Sequence, residues 1–463
     1  MTASLALALG QLRRRPASFA GLAAALFLSV VALTLFGFLF AVDVTAPTTV
    51  RGQSEGPGLM VIAGAFGEIA VLVAFFVVVN ALGFALRQQQ RDLALLRTIA
   101  ATPGQVRRLV RFQVCTAALL VSVPGWVVGT AAARRFLSAV QRLGLAAPGL
   151  RLPVDPAPVL IPMAVALAAT LAVALMASAV TARRFTRPTP AAALTASSTE
   201  HGRTGALRLL AGVGVLAGGV MLLRLAATRP PDELDKAGQA ALLGSLVLLI
   251  AVALAGPTAA RLLAAVLGVP VRAVAPGAGW LARANLCGYA KRLSSAVVPV
   301  ALLVGLSGTM LIMTSTAEHA ASPDTGSVTS ATDVWLRRAE LGMLACFAAV
   351  STLNTLVAVT SERRREFALL RLIGAGRPQL MRMLTVEAVL ITAVGVTLGG
   401  AVAGAASAAF STAVTGSPVP SLPVSACWFV VGGAALLTIP AVLATGLRAV
   451  RGPAVEEVGG GRD

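Results

Sequence analysis

"PASFAGLAAALFLSVVALTLFGFLFAV", residues 16–42, contains no charged side chain over 27 positions. A helix of that length rises about 40 Å, and roughly 20 apolar residues are enough to cross a bilayer. No polar face interrupts the stretch, so it is not the half-buried helix of a soluble core. Working outward, the runs 112–133, 156–182, 237–260, 293–317 and 424–447 are equally free of charge. The whole chain is 57% hydrophobic and 12% charged, about half the charge of an ordinary soluble domain. The expectation is an all-α polytopic membrane protein. Ten spans are placed near 18–42, 58–86, 112–133, 156–182, 205–227, 237–260, 294–317, 340–361, 383–410 and 424–447.

Arg13–Arg15 ahead of the first run resembles the start of a secretion signal. The run is longer than the ~7–15 residues of a signal core, so a retained first span is expected. The net charge of +19 raises the question of nucleic acid, and its distribution answers it. With the N-terminus cytoplasmic, and charges at span ends counted with the nearer side, the cytoplasmic segments hold 28 of the 38 Arg and Lys and 8 of the 19 acids. The outer segments hold ten of each. This is the positive-inside pattern with both termini cytoplasmic, so no nucleic-acid partner is expected and membrane lipid is. Arginine outnumbers lysine 36 to 2, which with abundant Ala and Gly suggests a GC-rich bacterial genome and hence a bacterial plasma membrane. Cys115, Cys287, Cys346 and Cys427 have no metal-like spacing and read as buried thiols.

Shifting the chain by 274 residues superposes its two ends. Leu7, Ala8 and Leu12 fall on Leu281, Ala282 and Leu286. Between Asn80 and Gln113, 11 of 34 positions are identical to Asn354–Glu387, among them one Asn, one Gln and three Arg. Each copy comprises an amphipathic helix, two spans, a basic segment and two further spans. Two extra spans join the copies, which preserves their orientation: a parallel duplication, 4 + 2 + 4. The expected organisation is a first repeat over 1–200, a linker with two spans over 201–275 and a second repeat over 276–463. The span at 205–227 is the least uniform, with Arg208 and Arg224 expected to snorkel to opposite interfaces.

The basic segments are "RDLALLRTIAATPGQ" (91–105) and "REFALLRLIGAGRPQ" (365–379). Leu93, Leu96 and Ile99 share one helical face, and "ATPG" and "GAGRP" break the helix before Gln105 and Gln379 start the next. Such a segment can lie in the headgroups as an anchor, or connect two spans, or dock apolar side chains into a partner's groove. Repetition with the same residues favours docking, and two copies imply two equivalent partner sites.

The pattern of an Asn in the preceding span, a basic patch and R-[DE]-x-A-L-L-R-x-[IL]-[GA]-A resembles the FtsX-like permease family of ABC transporters, over about 7–194 and 281–458. The resemblance implies that the two segments are coupling helices for separate cytoplasmic ATPase subunits. The residues concerned are Arg91, Asp92, Leu93, Leu95, Leu96, Arg97, Ile99 and Gln105 in the first copy. In the second they are Arg365, Glu366, Phe367, Leu369, Leu370, Arg371, Ile373, Gly374 and Gln379. It also implies inner-leaflet helices at about 3–16 and 279–292. Two departures stand out: Ala100 occupies the place of Gly374, and no large domain follows the first span of either repeat.

No Walker A pattern occurs, and the only lysines are Lys236 and Lys291, so ATP and Mg belong to a partner chain. His201 and His319 are isolated in sequence, which leaves no metal cluster or His-based triad, and the chain is not expected to be an enzyme. Glu68 lies well inside a span and is weighed equally as a helix-pairing group and a substrate contact. Asn80 and Asn354 are expected to bridge helices. The leading function is the permease subunit of an ATP-driven exporter of an amphiphilic cargo, such as a lipid, lipopeptide or peptide antibiotic, with two ATPase copies per chain. The alternative is a mechanotransmission permease controlling a cell-wall enzyme or sensor kinase. A secondary transporter is disfavoured by the lack of paired intramembrane charges.

Overall fold

A computed structural model describes residues 16–47, 58–89, 102–144, 146–147, 149–150, 156–186, 206–230, 234–320, 331–361 and 363–451. Among them are twelve α-helices and no strand. They are α1 (Pro16–Thr45), α2 (Leu59–Gln88), α3 (Pro103–Arg142), α4 (Pro156–Thr186), α5 (Ala206–Ala227), α6 (Leu234–Val274), α7 (Pro276–Gly288), α8 (Ala290–Ala320), α9 (Ala331–Ser361), α10 (Arg364–Leu372), α11 (Arg377–Thr415) and α12 (Val424–Arg451). All but α7 and α10 are long and apolar enough to cross a membrane, ten in total. Their outward faces carry Val123, Val127, Leu262, Val266 and Phe429, the kind of surface that lipid solvates.

Several helices outrun the apolar stretches that announced them. The third span was placed at 112–133, but α3 has 40 residues; α6 has 41 and α11 has 39. Arg107, Arg108, Arg134, Arg135 and Arg142 all lie within α3. Charge marks where a helix leaves hydrocarbon, while the i→i−4 ladder continues into water. Residues 134–142, expected as part of an external stretch, are therefore helical.

The chain forms two compact units, 1–198 and 199–463. In the first, α1 packs against α2, α3 and α4, and α4 also packs against α2 and α3. In the second, α8 makes the same set of pairings with α9, α11 and α12, and α12 with α9 and α11. The extra helices α5 and α6 pair with each other, and both also pack on α11, with α6 reaching α8 as well.

The central crossings coincide residue for residue. A Cβ on Gly125 of α3 would lie 2.8 Å from Val30 of α1, and one on Gly399 of α11 would lie 2.9 Å from Val304 of α8. Both pairs of positions are related by the 274-residue shift. One turn further, Gly129 faces Thr34 in the first unit, while Ala403 faces Gly308 in the second. Each crossing keeps one glycine, on opposite helices, which lets the backbones approach closely.

Arg208 bonds to the neighbouring helix α6. Its Nη2 and Nε donate to the carbonyls of Ala253 and Leu254 at 3.0 Å each. Pro257, inside α6, has no N–H to offer Ala253, and the guanidinium supplies that missing donor. Helix α7 corresponds to the expected surface helix at 279–292 but ends earlier, at Gly288. Its counterpart at 3–16 falls almost entirely outside the described residues.

Candidate coupling site

Between α9 and α11 the chain makes one short helix, α10. Glu366 in its first turn and Arg371 in its last match the helix dipole. Its end is set by Gly374, at φ +101°. Ala375 N–H donates to Leu370 O at 2.9 Å and Gly374 N–H to Arg371 O at 3.1 Å, the paired bonds of a Schellman motif. Helix α11 then starts with Pro378 in its first turn, and Gln379 Oε1 accepts from Gly376 N–H at 3.0 Å. In the first repeat Thr102 and Gln105 form a reciprocal capping box with bonds of 2.9 and 3.3 Å. Gln105 and Gln379, both exposed, thus start helices.

The apolar residues of α10 point two ways. Phe367 and Ala368 are buried, and Leu370 is half-buried, packed with Leu286, Leu380, Met383 and Leu384. Leu369, Leu372 and Ile373 point outward, with 43%, 52% and 84% of their surface exposed. The docking set read from the sequence therefore divides. Phe367 and Leu370 hold the helix down, whereas Leu369 and Ile373 are free to meet a partner. Leu372 joins them; its repeat equivalent, Thr98, is polar, which hid it in the repeat comparison. Arg365 sits in the first turn, and its side chain is outside the described ones.

Charged groups clamp α10 to three other helices. Arg292, at the start of α8, holds Glu366 with two bonds of 2.8 and 3.0 Å. Arg363 Nε reaches Glu366 at 3.1 Å, and its Nη1 reaches Glu387 of α11 at 2.5 Å. The Arg363 guanidinium also lies 4.9 Å from the Phe367 ring centre. Arg371 donates to Val450 O, at the end of α12, at 2.9 Å. Burial alone would make Arg363 a weaker base, but the carboxylates of Glu387 and Glu366 outweigh it, and its pKa is raised. Removing one partner from such a buried pair typically costs about 3–5 kcal/mol.

Arg292, Arg363 and Glu387 were not among the residues read from the sequence as functional. A signal existed: Glu387 is an acid inside a run expected to be a span, and its repeat equivalent is the neutral Gln113. Gln113 Nε2 donates to Gln89 Oε1 at 3.4 Å, both side chains buried. Arg91, Asp92, Leu93, Leu95, Leu96, Arg97 and Ile99 lie outside the described residues.

Of the intramembrane polar groups, Glu68 is on an exposed face of α2, and Asn80 and Asn354 are half-buried and partnered. His319 does have neighbours: Nδ1 lies 2.8 Å from Ser315 O and 3.1 Å from Ser421 Oγ. A carbonyl only accepts, so Nδ1 carries the proton and cannot act as a base toward Ser421. Among the described residues no group of three metal-ligating side chains occurs.

No curated protein matches the chain. The sequence model of the family described as FtsX-like permease C-terminal matches twice, over residues 64–190 and 340–454. Each match includes a basic segment and the spans on either side of it, and together they cover just over half of the 463 residues. The chain belongs to the FtsX-like permease family, as two tandem copies within a multi-pass membrane protein.

Proposed function

We propose that this chain is the transmembrane subunit of an ATP-driven exporter, docking one separate ATPase on each repeat and moving an amphiphilic cargo that enters from the bilayer. The family makes it a permease component of an ABC-type system, a transporter part and not a catalytic enzyme. Members of the family generally pair with cytoplasmic ABC ATPases. The observation that carries the docking role is the two-faced α10. Leu369, Leu372 and Ile373 are presented outward, while the opposite side is bonded to α8, α11 and α12. A push on the outer face of α10 therefore loads all three helices at once. The excess of Arg on that side supports a cytoplasmic position for it, in a bacterial plasma membrane. The apolar, lipid-facing spans support an amphiphilic cargo over a polar one.

The test is Ile373→Glu, alone and with Leu372→Glu. Burying an unpaired carboxylate in an apolar groove costs several kcal/mol. Affinity at the second-repeat site should fall at least about tenfold, since each tenfold is only 1.4 kcal/mol, so that retained ATPase drops toward about one copy per chain. Expression and thermal stability should hold, because both residues are exposed. Undiminished ATPase retention by the double variant would make α10 a surface anchor and remove the docking assignment.

A further inference from the structure

The two repeats hold the same junction with different chemistry. Arg363 and Glu387 fall on Gln89 and Gln113 under the 274-residue shift. All four residues are buried, none more than 4% exposed. Each pair spans 24 residues, from the end of one long helix across the basic segment to the next helix. One is a charge-assisted bond of 2.5 Å, the other an amide bond of 3.4 Å. In the second repeat the pair continues through Glu366 to Arg292. In the first, Ser18 stands at the place of Arg292 and Gln89 at that of Arg363, so neither position offers Asp92 a cation.

The first repeat is thus an internal control. At the positions of Arg363 and Glu387 it holds a neutral pair, so a buried pair there need not be charged. Buried ion pairs are a weak source of stability but impose strict geometry, because each charge tolerates displacement from its partner poorly. We propose that the chain Arg292–Glu366–Arg363–Glu387 is a lock that makes α8, α10 and α11 move as one body, and that the two repeats are unequal in transmitting displacement. Arg292, Arg363 and Glu387 are positioning residues in it. The consequence for transport rests on α10 being the ATPase-docking helix; the lock itself does not.

The experiment compares Arg363→Gln/Glu387→Gln, which installs the first repeat's pair, with Arg292→Gln, which leaves the inner pair intact. Each chain is reconstituted in nanodiscs, alone and with the ATPase that co-purifies with the wild type. Both variants should keep wild-type ATPase retention but lose stimulated ATP hydrolysis by about fivefold or more, the lower end of typical coupling between sites. On the chain alone, amide exchange over residues 364–373 should speed up several-fold in both, with the core of α11 still protected. Full hydrolysis together with wild-type exchange in either variant would overturn the lock. So would a double variant that fails to fold, because the neutral pair must suffice. If the wild type retains no ATPase, the docking reading fails while the exchange comparison still decides the lock.

Discussion

At Gly374 the chain takes φ +101°, a conformation that costs an L-residue with a Cβ about 1–2 kcal/mol. That single dihedral closes the Schellman bonds and turns the chain from α10 into α11. Gly374→Ala should therefore destabilise the turn by about 1–2 kcal/mol, seen as faster amide exchange at Ala375 with the core of α11 unaffected. Unchanged exchange would show that the turn is held by its neighbours. Residue identity was legible in the sequence here, because the break "GAGRP" and the helix-starting Gln379 announce the turn. The facing of side chains was not. Helical spacing groups Phe367 with Leu370 and Ile373, yet it cannot say which of them meets the bundle and which meets a partner. Burial of Phe367 and exposure of Ile373 decide that.

Helices were legible as spans, and less so as helices. Apolar runs report the hydrocarbon slab, so all ten crossing helices were found, but α3, α6 and α11 extend well past them. Polar contacts between helices were largely illegible, since they depend on which residues meet in space. Arg208 is the clearest case: its partners lie 45 and 46 residues away, at carbonyls next to Pro257. Arg208→Ala should leave Ala253 O without its donor and cost about 1.5–3 kcal/mol, the range for hydrogen bonds to charged groups. Denaturant or detergent unfolding of the intact chain would measure this, with Arg208→Lys only partly restoring it because Lys cannot fork across two carbonyls. Equal stability of Arg208→Ala and wild type would mean that lipid or water already satisfies the Ala253 carbonyl.

Across the whole molecule, the duplication was legible from Asn80–Gln113 against Asn354–Glu387, and Ala100 at the place of Gly374 already marked the copies as unequal, while the contacts behind that inequality needed coordinates. The exchange of glycine between crossing partners shows how the copies have diverged. In the first unit a Cβ on Gly129 would lie 2.7 Å from Thr34 Cβ, so Gly129→Ala should overpack the crossing by about 1–3 kcal/mol. Thr34→Gly in the same chain installs the second unit's combination and should recover the share owed to Thr34, though not the share owed to the Val31 carbonyl at 2.9 Å, less the ~0.5–1 kcal/mol of a mid-helix glycine. The Thr34 hydroxyl has no hydrogen-bond partner among the described residues, so no bond is lost. Failure of the second change to rescue the first would mean that the two crossings are not interchangeable. If they are, then the heritable unit of this architecture is a pair of helices. A gene conversion that copied α3 over α11 alone would bring Gly129 opposite Gly308 and leave a void. One that copied α1 and α3 together would carry its own fit with it, so recombination between the halves is filtered by contacts rather than by sequence identity.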